Sequence, residues 1–417
     1  MSSMSKHMKL LWGLVTGTLL GLAARQLPAQ WLDPVVENVA RPLGQIFLRL
    51  LFMLVIPLLF GALVSGVAGL ELKKLGRIGV RTLGYTVFVS AIAVAIGLFL
   101  VNVFAPGKGL PTQLRELAVQ QAMVKPVPKP EGAGAAALIV SMVPDNPLKA
   151  AVNGDMIGVI VFALLFAIAL SFTETPGAKT LANVINGLND TMTTLVHGVL
   201  KLAPIGVGAL LFAMVSKMGL ELFVHLSKYV LVVLTALAIH QFVVYSLIVK
   251  FLGKRSPLAF FRDVRLAMVT AFATASSSAT LPTALQVAEE NLKLPPRVSR
   301  FVLTAGSAMN QNGTALFEGV TVLFLAQLYG VELVLSQQLT VMLICILGGI
   351  GTAGVPAGSL PVIAMILGMF GIPPEGLGLI LGVDRLLDMA RTTLNVTGDL
   401  AAAVYVSRTE GAQPAAA

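Results

Sequence analysis

Apolar runs long enough to cross a bilayer recur along this chain, the clearest at about 10–24, 43–70, 79–104, 155–172, 195–216 and 224–252. A backbone in hydrocarbon finds no water to bond, so each run must satisfy its own peptide groups, and a helix does that within one segment. Composition agrees. Hydrophobic residues make up 56% and charged residues only 12% of the chain, against roughly a quarter charged in a soluble domain, and the mean hydropathy is +0.87. The sequence therefore predicts an all-α polytopic membrane protein whose first partner is the lipid bilayer.

The net charge of +9 is a matter of topology. Lys6 and Lys9 precede the first run, Lys73, Lys74, Arg77 and Arg81 lie between the second and third, and Lys254, Arg255, Arg262 and Arg265 follow the sixth. Lys/Arg in alternate short connections places those connections, and the N-terminus, in the cytoplasm. No nucleic-acid partner is expected. The single cysteine, Cys345, and four scattered histidines (His7, His197, His225, His240) offer no disulfide framework and no metal spacing. His240 is read as a packed structural residue, with proton movement as its alternative role. The first run lacks an A-x-A cleavage site and is expected to be a retained helix rather than a signal peptide.

Residues 105–150 form a long polar connection containing "KPVPKPEGAG", expected outside the membrane. Beyond residue 257 the apolar segments are interrupted four times: "TASSSATLPT", "AMNQNGTALFEG", "GGIGTAGVPAGS" and "DRLLDMARTTLNVTGD". The order reads as hairpin tip, broken helix, hairpin tip, broken helix. Irregular backbone at membrane depth is tolerated only where protein buries it or a cavity borders it, and paired discontinuous segments mark a transporter's binding site. Basic stretches ("KRSPLAFFRDVR", "NLKLPPRVSR") flank the first hairpin, whereas "AQLYGVELVLSQQ" and "FGIPPEGLG" around the second contain no Lys or Arg. The first hairpin should enter from the cytoplasm and the second from outside, an inverted repeat.

In the last interruption, Asp384, Asp388, Arg391, Asn395 and Asp399 are spaced four, three, four and four apart, with Thr392 alongside, and so share one helix face. Burying such groups costs several kcal/mol each by rough estimate unless partners are supplied. Asp388 and Arg391 either pair with each other or serve a ligand. A guanidinium fork suits a carboxylate and an Asp suits an ammonium, so the pair matches an acidic amino acid. "SSSAT" (Ser276–Thr280) offers hydroxyls and turn N–H groups, or simply small-residue packing. Carbonyl-type oxygens in "NQNGT" suit Na⁺, and Glu318 is an intramembrane carboxylate and a proton-carrier candidate. No nucleophile–base pair or phosphate loop points to an enzyme. The formal G-x-G-x-x-G at Gly349, Gly351 and Gly354 is spoiled by Pro356 as a dinucleotide site.

These motifs resemble, over nearly the whole chain and most strongly over 257–405, the glutamate transporter homologue family of dicarboxylate/amino acid:cation symporters. The resemblance implies eight transmembrane helices, two re-entrant hairpins with inverted repeats, and an elevator-type homotrimer in the cell inner membrane. Residues 1–78 would hold scaffold helices 1 and 2, and 79–104 the third helix, which belongs to the transport domain. Residues 105–222 would hold the external loop and scaffold helices 4 and 5. The rest of the transport domain would be 223–410 (helix 6, hairpin 1, helix 7, hairpin 2, helix 8), with 411–417 a disordered tail. By the same resemblance Asp388 binds the substrate amino group, Arg391 its side-chain carboxylate and Asn395 its α-carboxylate, with Thr314, Thr392, Ser277, Ser278 and Val355 completing the site. Asp399 with Gly306, Asn310 and Asn395 would hold one sodium ion, and Gly349, Ile350 and Thr352 another. No organic cofactor is implied; Na⁺ and H⁺ are the coupling ions.

The departures concern coupling. Sodium-coupled members usually read N-M-D-G-T where this chain reads N-Q-N-G-T, so a ligand carboxylate becomes Asn312. Val89 replaces a ligand hydroxyl before Ser90, Ala308 stands where a Thr often helps the second sodium, and Glu318 resembles the proton-carrying glutamate of the animal proteins. One sodium site lost, another weakened and a proton contribution are the expectation. No second Arg occurs at Ala275 or Met389, where members usually carry one. Symport of a neutral amino acid or a C4-dicarboxylate, or an anion-conducting channel, stands as the alternative.

Overall fold

A computed structural model describes residues 6–68, 77–109, 140, 143–153, 155–219, 221–351 and 359–410, and no strand occurs among them. Thr352, Val355, most of the 105–150 connection and the 411–417 tail lie outside the described residues. In chain order the first helices are α1 (Lys6–Ala24), α2 (Ala29–Gly66), α3 (Arg77–Phe104), α4 (Met156–Phe172), α5 (Pro176–Leu200) and α6 (Ala203–Met218). There follow α7 (Leu222–Leu252), α8 (Pro257–Thr274), α9 (Ser277–Gln286), α10 (Pro296–Met309) and α11 (Asn312–Tyr329). The last are α12 (Leu335–Gly351), α13 (Ser359–Met369) and α14 (Leu377–Thr409).

By length and apolarity α2, α3 and α7 each suffice to cross a membrane, and α5 with α6 makes a fourth candidate bent by 53°. That bent pair corrects the fifth apolar run. The helix begins at Pro176, capped by Thr175 Oγ1 accepting from Ala178 N–H at 3.2 Å, well before residue 195. Its first turns escape a hydropathy reading because Asn183, Asn186, Asn189 and Asp190 interrupt the apolar pattern. A second correction concerns α14, which runs unbroken through Gly398. Gly398 is a packing position rather than a helix break: a Cβ there would overlap Tyr245 Oη. Tyr245 uses that closeness to donate to the Leu394 carbonyl at 3.2 Å.

The other expected break is present. α10 stops at Met309 and α11 starts at Asn312, with Asn310 and Gln311 out of helical conformation. α8 and α9 fold back on each other through Ala275, which adopts a left-handed φ of 48° without being glycine. Ser276 then caps α9 by accepting from Ala279 N–H at 3.2 Å. α12 also packs against α13.

Two packing groups result. α1, α2, α4, α5 and α6 pack among themselves, while α11 and α14 lie inside a cage made by α3, α7, α8, α10 and α12. Nearly every described side chain of α11 is buried, unlike the helices outside, where Trp12, Trp31, Phe88, Phe99 and Phe242 are exposed. Apolar residues outside and polar residues within suit a lipid-facing surface around a polar centre. At one end, three of the arginines cap helix carbonyls: Arg81 donates to Thr409 O, Arg408 to Leu252 O and Arg255 to Leu292 O.

α1 meets α6 through glycines, because a Cβ at Gly13 or Gly17 would overlap the Pro204 or Gly208 carbonyl. Gly17→Leu should therefore separate the two helices and cost about 1–3 kcal/mol through overpacking. The exposed Leu20→Ala should be nearly silent. Unfolding midpoints of the detergent-purified proteins check both.

Candidate functional site

The polar stripe of α14 lies inside the cage. Asp384, Asp388, Arg391, Thr392, Asn395 and Asp399 are all buried. Arg391 donates from Nε to Asp388 Oδ1 at 3.0 Å, and its Nη2 lies 2.9 Å from the same oxygen and 3.0 Å from Asp384 Oδ1. The Asp384 contact is an ion pair without hydrogen-bond alignment. The guanidinium also lies over the Phe317 ring at 4.1 Å, which holds its plane. Its Nη1 has no partner among the described residues, although it is buried. So the Asp388–Arg391 pair exists and still leaves one edge of the guanidinium unbonded among the described residues. An orphaned buried donor costs about 1–3 kcal/mol, which an incoming carboxylate would recover.

The helix break supplies the other wall. Gly313 lets α11 start against α14, since a Cβ there would stand 2.7 Å from the Arg391 carbonyl. Gly313 N–H donates to Asn395 Oδ1 at 2.7 Å, and Asn395 Nδ2 donates to Gln311 Oε1 at 2.5 Å and to Thr314 Oγ1 at 3.2 Å. Asp388, Arg391, Asn395 and Thr314 are thereby brought together. Ser277 is buried and Ser278 exposed at the start of α9, which packs on α14. Neither serine bonds to Asp388, Arg391 or Asn395 among the described residues. Thr392 is buried on the same face. Thr352 and Val355 lie outside the described residues.

For cations, the residues fit at one place and not at another. Asn310 Nδ2 donates to Asp399 Oδ1 at 2.8 Å, while Asn310 Oδ1 is buried without a partner among the described residues. Gly306 leaves room for that carboxylate, since a Cβ would overlap it. A carboxylate, an orphaned amide oxygen and nearby helix-end carbonyls are hard donors suited to Na⁺. Around Asn312, in contrast, the polar atoms are already paired. Ser90 Oγ donates to Asn312 Oδ1 at 2.6 Å and Asn312 Nδ2 donates to Tyr245 Oη at 3.1 Å, with Val89 buried beside them. Gly349 lies against the Gln311 carbonyl, where a Cβ would sit at 3.3 Å, and Ile350 is buried. Among the described residues no group of three or more His, Cys, Asp or Glu forms a metal cluster.

Glu318 sits on the innermost helix, fully buried, and neither carboxyl oxygen has a partner among the described residues. His240 is likewise buried, packed edge-on against Tyr245 at 4.8 Å between ring centroids. The sequence placed Asp384 on the charged face without a ligand, and the structure sets it against Arg391. Gln311 lay within the N-Q-N-G-T motif without a role of its own, and nothing in the pattern marked Phe317.

Residues 7–409 match the profile of the sodium:dicarboxylate symporter family. The chain belongs to that family. It is 34% identical over 406 residues to the proton/sodium-glutamate symport protein of Geobacillus stearothermophilus, covering 96% of this chain and 94% of the relative. It is also 34% identical over 408 residues to the proton/glutamate-aspartate symporter of Escherichia coli (strain K12), with 96% and 92% covered. Human excitatory amino acid transporter 2 is 32% identical over 437 residues, with 93% and 75% covered. A sodium:dicarboxylate symporter is a transporter and not an enzyme, and the apolar helices make this family member a membrane protein.

Proposed function

We propose that the chain is a secondary active symporter of acidic amino acids, aspartate or glutamate. The observation that carries this reading is the buried Arg391, held by Asp384 and Asp388 on one side and by Phe317 across its face, with Nη1 open. The guanidinium edge receives the side-chain carboxylate, Asp388 the ammonium, and Asn395 with Thr314 the α-carboxylate. Thr392, Ser277, Ser278 and Val355 close around them. The relatives named for glutamate and aspartate support the substrate class.

A sodium ion supplies positive charge that neutralises Asp399 when substrate loads. Asp399, Asn310, Gly306 and Asn395 would hold it, and Gly349, Ile350 and Thr352 would hold a second. The neutral Ser90–Asn312–Tyr245 chain argues that a further sodium is not used there, and Glu318 carries a proton instead. The packing of α3, α7 and α8–α14 supports a transport domain of 79–104 plus 223–410 moving as an elevator against a scaffold of 1–78 and 105–222. The assembly is a homotrimer in the inner membrane, with the N-terminus cytoplasmic.

Uptake of labelled aspartate and glutamate into proteoliposomes, under sodium and proton gradients imposed separately, tests the proposal. Saturable uptake driven by either gradient is expected. Anion current without amino acid uptake would leave the channel alternative standing instead. The engagement of Arg391 by two carboxylates favours a second reading, a neutral amino acid, and competition by unlabelled alanine or serine separates it from the first.

A further inference from the structure

The break between α10 and α11 leaves helix-end carbonyls in the centre of the protein, the kind of group that coordinates cations in broken-helix transporters. The helical ladder ends where Asn310 N–H reaches the Gly306 carbonyl at 2.8 Å. The next carbonyl, that of Ser307, is taken by a side chain: Gln311 Nε2 donates to it at 2.9 Å. The other end of the same carboxamide, Oε1, accepts from Asn395 Nδ2 at 2.5 Å. Gln311 is 3% exposed, and both polar ends of its side chain are used.

We propose that Gln311 is an internal stand-in for a cation: its Nε2–H holds the Ser307 carbonyl that the helix break exposes, and its Oε1 sets the orientation of Asn395. The proposal rests on the reading of Asn395 as a substrate ligand. Asn395 Oδ1 is fixed by Gly313 N–H, so the direction of its Nδ2 is decided by Gln311 and Thr314 together. A side chain that cannot donate leaves the Ser307 carbonyl unpaired in a dry interior, which an ion would then have to satisfy. Both Nδ2–H groups of Asn395 are in use, so Gln311 acts as a positioning residue that fixes one of them, and the other, on Thr314 at 3.2 Å, is the one that turns to an α-carboxylate without sodium at this point. Asp399, which accepts from Asn310 at the first residue of the break, belongs to the proposed sodium site instead.

The test compares wild type with Gln311→Met and Gln311→Glu in full-length purified protein. Met removes both polar functions at similar volume, whereas Glu keeps the acceptor for Asn395 and loses the donor to Ser307. Aspartate and glutamate affinity is measured in choline and in sodium medium at one pH. Unfolding midpoints are measured in the same two media without substrate. Gln311→Met should lose about tenfold in affinity in choline and less in sodium, and its midpoint should rise with sodium more than wild type's does. Gln311→Glu should show the larger sodium dependence of the two. Equal affinity losses in both media would mean a merely structural role and overturn the proposal, as would no loss at all. If wild type binds neither amino acid, the symporter reading has failed and the midpoints alone decide. A larger sodium shift in Gln311→Met then supports the stand-in, and an equal shift overturns it.

Discussion

Arg391→Ala should weaken aspartate and glutamate binding by about two to three orders of magnitude. The open Nη1 edge would make charge-assisted hydrogen bonds to the side-chain carboxylate, each worth about 1.5–3 kcal/mol, and about 1.4 kcal/mol is a factor of ten. A neutral amino acid does not use that edge, so its affinity should fall much less. The substitution also removes the countercharge of Asp384 and Asp388, and breaking a buried pair costs about 3–5 kcal/mol. Asp384→Asn combined with Arg391→Ala lowers that burden and keeps the binding measurement interpretable. Titration calorimetry with aspartate and with alanine, on both backgrounds, reads the result. An unchanged acidic-substrate affinity would remove Arg391 from the carboxylate clamp.

Glu318→Gln should change coupling and leave binding largely alone. The side chain is fully buried on α11 without a hydrogen-bond partner among the described residues, and Gln matches its volume. If Glu318 carries the proton inward with substrate, wild-type uptake falls as the external pH rises, because fewer carriers load a proton. Gln carries none, so the variant's profile should be flat over the same range and its uptake should no longer respond to an imposed proton gradient. Proteoliposome uptake across a pH series measures this. A wild-type-like slope in the variant would place the proton elsewhere, and His240, buried against Tyr245, is then the next group to replace.

The α14 stripe was legible because a helix turns by a constant angle, so the spacing of Asp384, Asp388, Arg391, Asn395 and Asp399 places them on one face before any neighbour is known. The break at Asn310–Gln311 was legible for a similar reason, since Asn and Gly in an apolar run have few places to be. Gly398 misled, because a glycine that breaks a helix and one that admits a neighbour look alike in a sequence. Only the position of Tyr245 distinguishes them. α5 was shortened for a related reason: its amphipathic start packs on α2, a fact no hydropathy window contains.

By itself the sequence determined the solvent, the helical class and the identity of the charged stripe. These follow from local quantities: run length, periodicity and the cost of charge in hydrocarbon. Tertiary structure alone decided which of those groups are already satisfied. It pairs Arg391 with two aspartates and leaves Nη1 open, closes Asn312 into a neutral chain with Ser90 and Tyr245, and turns Gln311 between Ser307 and Asn395. The bonds of Asn312 to Tyr245 and to Ser90, and of Gln311 to Asn395, join residues 67, 222 and 84 positions apart, and no local pattern specifies which distant partner a buried polar atom will meet.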